Sequence, residues 1–126
     1  DEPTRIKQTQ FVRSLAEDYA KTYPVILAGD FNSALNRGTF IDASGNDHGE
    51  KQFSIKALLA SDQLVSAVPE SDWNNTFTFP SDQPQYKLDY IFYTPDTIEM
   101  VKTKVVKAAG EASDHLPIMM SFRLKP

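Results

Sequence analysis

A mixed α+β fold is what this sequence predicts, and three features predict it. Pro3 to Tyr23 is a long amphipathic stretch without a glycine. A short apolar run, Val25 to Ala28, follows it directly through Tyr23-Pro24. Beyond Trp73, β-branched and aromatic segments succeed one another with only turns between them. The order is helix, strand, helix, then several strands, and the step from the helix through Tyr23-Pro24 into the apolar run is a helix-to-strand unit of the α/β kind.

The first helix is expected over Pro3–Tyr23, with proline in its first turn, where a missing N–H costs nothing. Ile6, Phe11, Leu15 and Tyr19 recur mostly four apart among charged residues, so this apolar face should cover a sheet. The strand Val25–Ala28 reads as buried on both faces, because its apolar run is continuous rather than alternating. It stops on Gly29-Asp30-Phe31-Asn32, where Gly29 lets the backbone turn and Asp30 and Asn32, two apart, point to one side. Such a pair at a strand's margin is either an Asx turn capping backbone groups or the start of a site.

Asn36 to Glu50 reads as a loop rich in glycine, serine, asparagine and aspartate. Its Asp42, Ser44 and Asn46 have the spacing of a calcium loop, but Asp47 stands where that loop needs glycine and Phe53 where it needs a bidentate glutamate. A solvated loop is therefore expected, with His48 an exposed polar residue in it. A second helix is expected over Lys51–Ala60, followed by the short apolar pieces Leu64-Val65 and Ala67-Val68. The alternating "WNNTFTFP" reads as a half-buried strand stopped by Pro80. Strands are further expected over Leu88–Tyr93, Thr97–Lys107 and Pro117–Leu124.

Composition narrows the function. The chain has 126 residues, 40% of them apolar, and no uninterrupted apolar segment long enough to span a membrane, so it is at most one soluble domain. Formal net charge is −4 with scattered lysines and arginines, which disfavours gripping a nucleic-acid backbone. There is no cysteine, hence no disulfide, thiolate zinc site or thiol nucleophile. The chain opens on Asp1 with no leader pattern and reads as a processed or excised piece.

Three apolar strands carry polar residues at their margins: Asp30 and Asn32 after the first, Asp89 within "KLDYIF", and Ser113-Asp114-His115 before the last. An unpaired buried aspartate is costly, so Asp89 needs a partner, and His115 is the only histidine near a strand margin. Such a pair would orient the imidazole and favour its protonated form. Each motif alone is better served by backbone capping.

Together, "GDFN", then "LDYIF", then "SDHLP" resemble the endonuclease/exonuclease/phosphatase superfamily, which shares the deoxyribonuclease I-like fold. The helix before "PVILAGDFN", with its Arg5-x-x-Gln8 opening, resembles the same family. The resemblance implies that the chain is the C-terminal half of a four-layered α-β-β-α sandwich, one sheet with its covering helices, the N-terminal half being absent from this chain. It implies a phosphoesterase that uses Mg²⁺, or Mn²⁺ in its place, and water attacking phosphorus in line. Carried over by residue, Asp30 positions or deprotonates the water, and Asn32 holds the nucleophile and a phosphoryl oxygen. His115 contacts the phosphate with Asp89 orienting it, and Asp114 lies near the metal. Thr76 or Thr78 resembles a phosphate-contacting residue of that segment, and neither is placed in the site. The family's principal metal-binding glutamate belongs to the absent half. This chain alone should therefore be inactive, and should associate with that half or with a second copy of itself. The weak basic character favours a phosphorylated small molecule or lipid headgroup over long DNA. A non-catalytic binding module that keeps the fold without the glutamate is the rival. The geometric expectation is a hydrogen bond between Asp89 and His115, on neighbouring strands, with Asp30 and Asn32 on the same rim.

Overall fold

A computed structural model describes residues 1–34, 43–46 and 54–126. Helix α1 spans Glu2–Ala20 and is started by Asp1, whose carboxylate accepts the Thr4 N–H at 2.8 Å. That cap satisfies one of the orphan donors of the first turn, with Pro3 inside the turn as expected. The helix stops before Tyr23, because the Lys21, Thr22 and Tyr23 amides fold back onto the carbonyls of Asp18 and Tyr19.

The helix covers the sheet with a different face from the expected one. Phe11, Leu15 and Tyr19 are 69%, 45% and 55% exposed, whereas Glu2, Thr9 and Ala16 are buried. Small side chains let the helix approach closely. Two polar links fix its rotation: Arg13 Nη1 donates to the Ala57 carbonyl at 3.0 Å, and the Ser61 hydroxyl donates to Glu17 at 2.9 Å.

Strand β1 spans Ile26–Asp30, α2 Lys56–Leu59, β2 Val65–Ser66, β3 Asp89–Tyr93, β4 Ile98–Val105 and β5 Ile118–Leu124. They form two sheets rather than the single one expected: a three-stranded antiparallel sheet in the order β1-β3-β2, and an antiparallel β4-β5 hairpin with an irregularity between Met100 and Lys102. The register of β1 on β3 sets Ile26 opposite Tyr93 and Asp30 opposite Asp89, bringing two of the expected site residues face to face at the sheet's end.

Alternation along β3 buries Tyr90 and Phe92 on the helix side. There they form the main core with Ala16, Ile55, Leu58, Leu64, Val68 and Trp73. Burying an aromatic of this kind contributes roughly 1.5–3 kcal/mol. The Trp73 indole donates to the Val68 carbonyl at 3.0 Å, so its one polar atom is paired inside the core. A second, smaller core joins Ala34 to Tyr86 and Leu88, with Phe79 packed against it.

Two further expectations change. Strand β1 is not buried on both faces: it lies at the sheet's edge, and Ile26 is 41% exposed. Its apolar run reflects a strand whose second edge and second face have no partner among the described residues. The "WNNTFTFP" segment is not a strand either. Glu70–Asn75 is a 3-10 helix, and only Phe79 bridges, to Tyr86. Thr78 uses its polar groups on Tyr86, Leu88, Asp89 and Leu116 instead of on one neighbouring strand. The remaining strands fall within the expected ranges. Of the Asn36–Glu50 loop, Ser44 and Asn46 are exposed, while Asp42, Asp47 and His48 lie outside the described residues. So does the start of the second expected helix, residues 51–53.

Candidate active site

Asp30 is the last residue of β1, and the chain turns two residues later. The turn is at Asn32, in the left-handed region with φ 48°, and not at Gly29, which pairs with Tyr90 inside the strand. Asparagine tolerates this conformation better than most residues because its short amide bonds locally. Asp30 Oδ1 accepts the Asn32 N–H at 2.8 Å, an Asx turn that fixes the carboxylate. Below the turn, the buried Tyr90 hydroxyl donates to the Ser33 carbonyl at 2.6 Å, tying the loop after β1 to β3.

Asp89 opens β3 and is partly buried. Its Oδ2 accepts from His115 Nδ1 at 2.8 Å and from the Thr78 hydroxyl at 2.5 Å. The expected Asp89–His115 bond is therefore present, although β3 and β5 belong to different sheets. His115 is carried to Asp89 by the loop that precedes β5. With Nδ1 donating to Asp89, Nε2 is the nitrogen left to face outward, and it lies 3.8 Å from Asp30 Oδ2. Ligating atoms of Asp30, Asp89 and His115 all fall within 4.8 Å of one another. Phe79 flanks the imidazole, with ring centroids 4.9 Å apart.

Electrostatics follow from this arrangement. Partial burial would by itself lower the His115 pKa. The hydrogen bond and charge of Asp89, followed by the charges of Asp30 and Asp114, outweigh it and raise the pKa above the ordinary histidine value. The site thus favours the imidazolium more than an isolated histidine side chain would.

Asn32 lies on the same rim as Asp30, where both line an open hollow of about 210 Å³ with Arg5, Gln8, Thr9, Val12 and Phe31. Asp114 stands apart from the compact cluster. It is exposed and lines a separate hollow with Pro80, Ser81, Asp82, Glu111 and Ser113, while its charge still reaches His115.

Two residues outside the expected set serve the site. Thr78, fully buried, donates to the same Asp89 oxygen as the imidazole, and its hydroxyl oxygen also accepts the Leu88 N–H at 3.3 Å. Lys87, also buried, donates to the Asp89 backbone carbonyl at 2.9 Å, with its ammonium 4.7 Å from the Tyr90 ring centroid. Burial lowers the Lys87 pKa to about 8, the Asp89 charge opposing part of that shift. The clue to Thr78 in the sequence is its place one residue before Phe79-Pro80, but an alternating Thr/Phe pattern reads as a strand.

A two-sheet α+β frame with Asp30, Asn32, Asp89 and His115 gathered at its rim defines a recognisable class of domain. The chain belongs to the Endonuclease/Exonuclease/phosphatase family, whose model matches residues 2–115. Among solved structures it is similar to a mannosyl-6-phosphatase from Bacteroides thetaiotaomicron. The TM-score is 0.68 at 18% identity, over 98% of this chain and 47% of that one. It is likewise similar to an endonuclease/exonuclease/phosphatase family protein from the same organism, with a TM-score of 0.63 at 17% identity, over 97% of this chain and 45% of that one. The chain thus spans about half the length of both structures. No curated protein matches it significantly.

Proposed function

We propose that this chain is the C-terminal half of a metal-dependent phosphoesterase domain and that Asp30, Asn32, Asp89 and His115 carry its chemistry. The observation that supports this most strongly is the Asp89–His115 bond at 2.8 Å with Nε2 turned toward Asp30. Water attacks phosphorus in line with the leaving oxygen. Asp30 orients that water and takes its proton, while the Asn32 amide holds the water and a phosphoryl oxygen. The His115 imidazolium, oriented by Asp89, neutralises negative charge that builds on the phosphoryl oxygens.

Among the described residues, the donors suit a hard divalent cation such as Mg²⁺, or Mn²⁺, better at the exposed rim than in the compact cluster. Asp89 Oδ2 already accepts two hydrogen bonds and His115 Nδ1 is engaged, so the compact cluster is a proton-handling centre and not a ready cage. The carboxylates of Asp114 and Asp30 are exposed hard-oxygen donors; Asp30 is engaged by the Asn32 N–H and faces His115 Nε2, and Asp114 is the proposed ligand. Bound there, the ion supplies further charge neutralisation at phosphorus. The remaining ligands would come from the N-terminal half of the domain.

That half would also cover what this chain leaves open. Among the described residues, the second edge of β1 has no partner strand and Ile26, Val101, Phe122 and Leu124 are exposed apolar surface, which the N-terminal half or a second copy would cover. The scattered basic residues and the likeness to a sugar phosphatase together favour a phosphorylated small molecule, a sugar phosphate or a lipid headgroup, over long DNA.

Asp30→Asn in the assembled domain tests the assignment. It should lower kcat by roughly 10²-fold or more, since the carboxylate acts on the water mainly in the transition state, with KM and metal affinity changed little. An intact kcat with weakened Mg²⁺ binding would make Asp30 a ligand and overturn its role.

A further inference from the structure

The loop Ser113–Leu116 carries two of the site residues, yet it belongs to no helix or strand. Within itself it makes only short-range bonds: Ser113 Oγ accepts the His115 N–H at 3.2 Å and lies 3.4 Å from Asp114 Oδ1. Its position relative to β3 must come from outside. Apart from the imidazole itself, the support among the described residues comes from one segment, Thr78 to Ser81, through Thr78, Phe79 and Ser81. The Leu116 N–H donates to the Thr78 carbonyl at 2.7 Å, and the Phe79 ring lies against the His115 imidazole. The Ser81 N–H donates to the Asp114 carbonyl at 2.8 Å, and the Ser81 hydroxyl donates to the Ser113 carbonyl at 2.5 Å. The segment is itself anchored, since the Phe79 and Tyr86 amides exchange bonds at 3.1 and 2.9 Å.

The Ser81 hydroxyl contact differs in kind from ordinary fold-holding bonds. Ser113 and Asp114 are exposed, so water can take over the Ser113 carbonyl if the Ser81 hydroxyl is removed. Stability would change little, but the direction in which the loop holds its side chains would no longer be specified. A group that sets position without setting stability acts on the chemistry of its neighbours, because small displacements of a reacting group are expensive in rate.

We infer that Ser81, together with Phe79, is a positioning residue for the Asp89–His115 pair: the hydroxyl clasps the loop at Ser113 and the ring sets the plane of the imidazole, so that Nε2 faces the phosphoryl group. This rests on the phosphoesterase reading above for what Nε2 does, though not for where it is held.

The test uses Ser81→Ala, Ser81→Thr and Phe79→Leu, with two readouts. In the full chain, the imidazole ¹⁵N–¹H cross-peaks of His115 are recorded at one fixed pH. In the domain assembled with its N-terminal half, kcat and KM are measured for a sugar phosphate. Ser81→Ala and Phe79→Leu should shift and broaden the His115 cross-peaks. Ser81→Ala should do so with a melting temperature within about 2 °C of the parent. It should lower kcat roughly tenfold with KM within about twofold, and Ser81→Thr should restore both signals. Cross-peaks that stay in place in both Ser81→Ala and Phe79→Leu overturn the inference, as does a Ser81→Ala enzyme altered in KM alone. A parent domain that hydrolyses nothing refutes the phosphoesterase reading instead, and the imidazole cross-peaks then decide the role of Ser81.

Discussion

Replacing Thr78 by valine keeps the shape of the side chain and removes one hydroxyl, and its cost can be worked from the contacts. Thr78 is fully buried, so water cannot reach the vacated position. The hydroxyl donates to the Asp89 carboxylate at 2.5 Å, and a hydrogen bond to a charged group contributes a net ~1.5–3 kcal/mol. The same oxygen accepts the Leu88 N–H at 3.3 Å, a long bond whose loss adds a few tenths of a kcal/mol, on the order of the weak end of the usual range. Asp89 keeps its bond from His115, so its charge is not wholly orphaned. Thr78→Val should therefore destabilise the chain by about 2–3 kcal/mol, while Thr78→Ser, which keeps the hydroxyl, should cost less than about 1 kcal/mol. Urea unfolding followed by Trp73 fluorescence measures this, and the midpoint should fall by roughly 1–2 M for an m-value typical of a small domain. A loss below about 0.5 kcal/mol, the scale of an uninvolved surface substitution, would refute the idea that Thr78 sustains the Asp89 charge.

Two predictions concern pH. The folded His115 pKa is raised above its unfolded value, so the stabilisation it draws from Asp89 is complete below the unfolded pKa of about 6.5 and is lost as pH rises through the higher folded value. The stability difference between the parent chain and Asp89→Asn, measured by urea unfolding, should accordingly shrink with rising pH above neutrality, and a difference that grew there would contradict the sign. Lys87 behaves oppositely: its folded pKa is lowered to about 8, so the folded amine sheds its proton first and stability should climb from about pH 8 toward the unfolded value near 10.4. Lys87→Met should flatten that rise, and an unchanged slope would show that the ammonium is not desolvated as its burial implies.

What was legible in the sequence and what was not divides along physical lines. The Asp89–His115 bond could be anticipated because a carboxylate in an apolar strand demands a partner and only one histidine stood near a strand margin. The strands from Leu88 onward were legible because β-branched and aromatic residues met clear turn residues on both sides. The docking face of α1 was not. Phe11, Leu15 and Tyr19 form the stronger apolar stripe, yet the helix packs through Thr9 and Ala16, with Arg13 and Glu17 bonded to Ala57 and Ser61, long-range links that helical periodicity does not encode. The edge position of β1 was hidden for a related reason: an apolar run records the burial a strand is suited to, and here one face and one edge lack a partner among the described residues. Thr78 was named only by resemblance and without its bond to Asp89, and Ser81 not at all, because a hydroxyl's role is set by which segments meet it, and those partners are 11 and 32 residues away in sequence.

The central claim is that a phosphoesterase site is built from Asp30, Asn32, Asp89 and His115 and completed by metal ligands from an N-terminal half. It is tested most directly by the rate of phosphate release from a sugar phosphate by this chain, alone and after addition of that half, with Mg²⁺ and then with excess chelator. The account predicts hydrolysis barely above background for the chain alone, Mg²⁺-dependent turnover for the assembled domain, and loss of that turnover when chelator is added. Robust hydrolysis by the rigorously purified chain alone, or turnover by the assembled domain that survives the chelator, would contradict it.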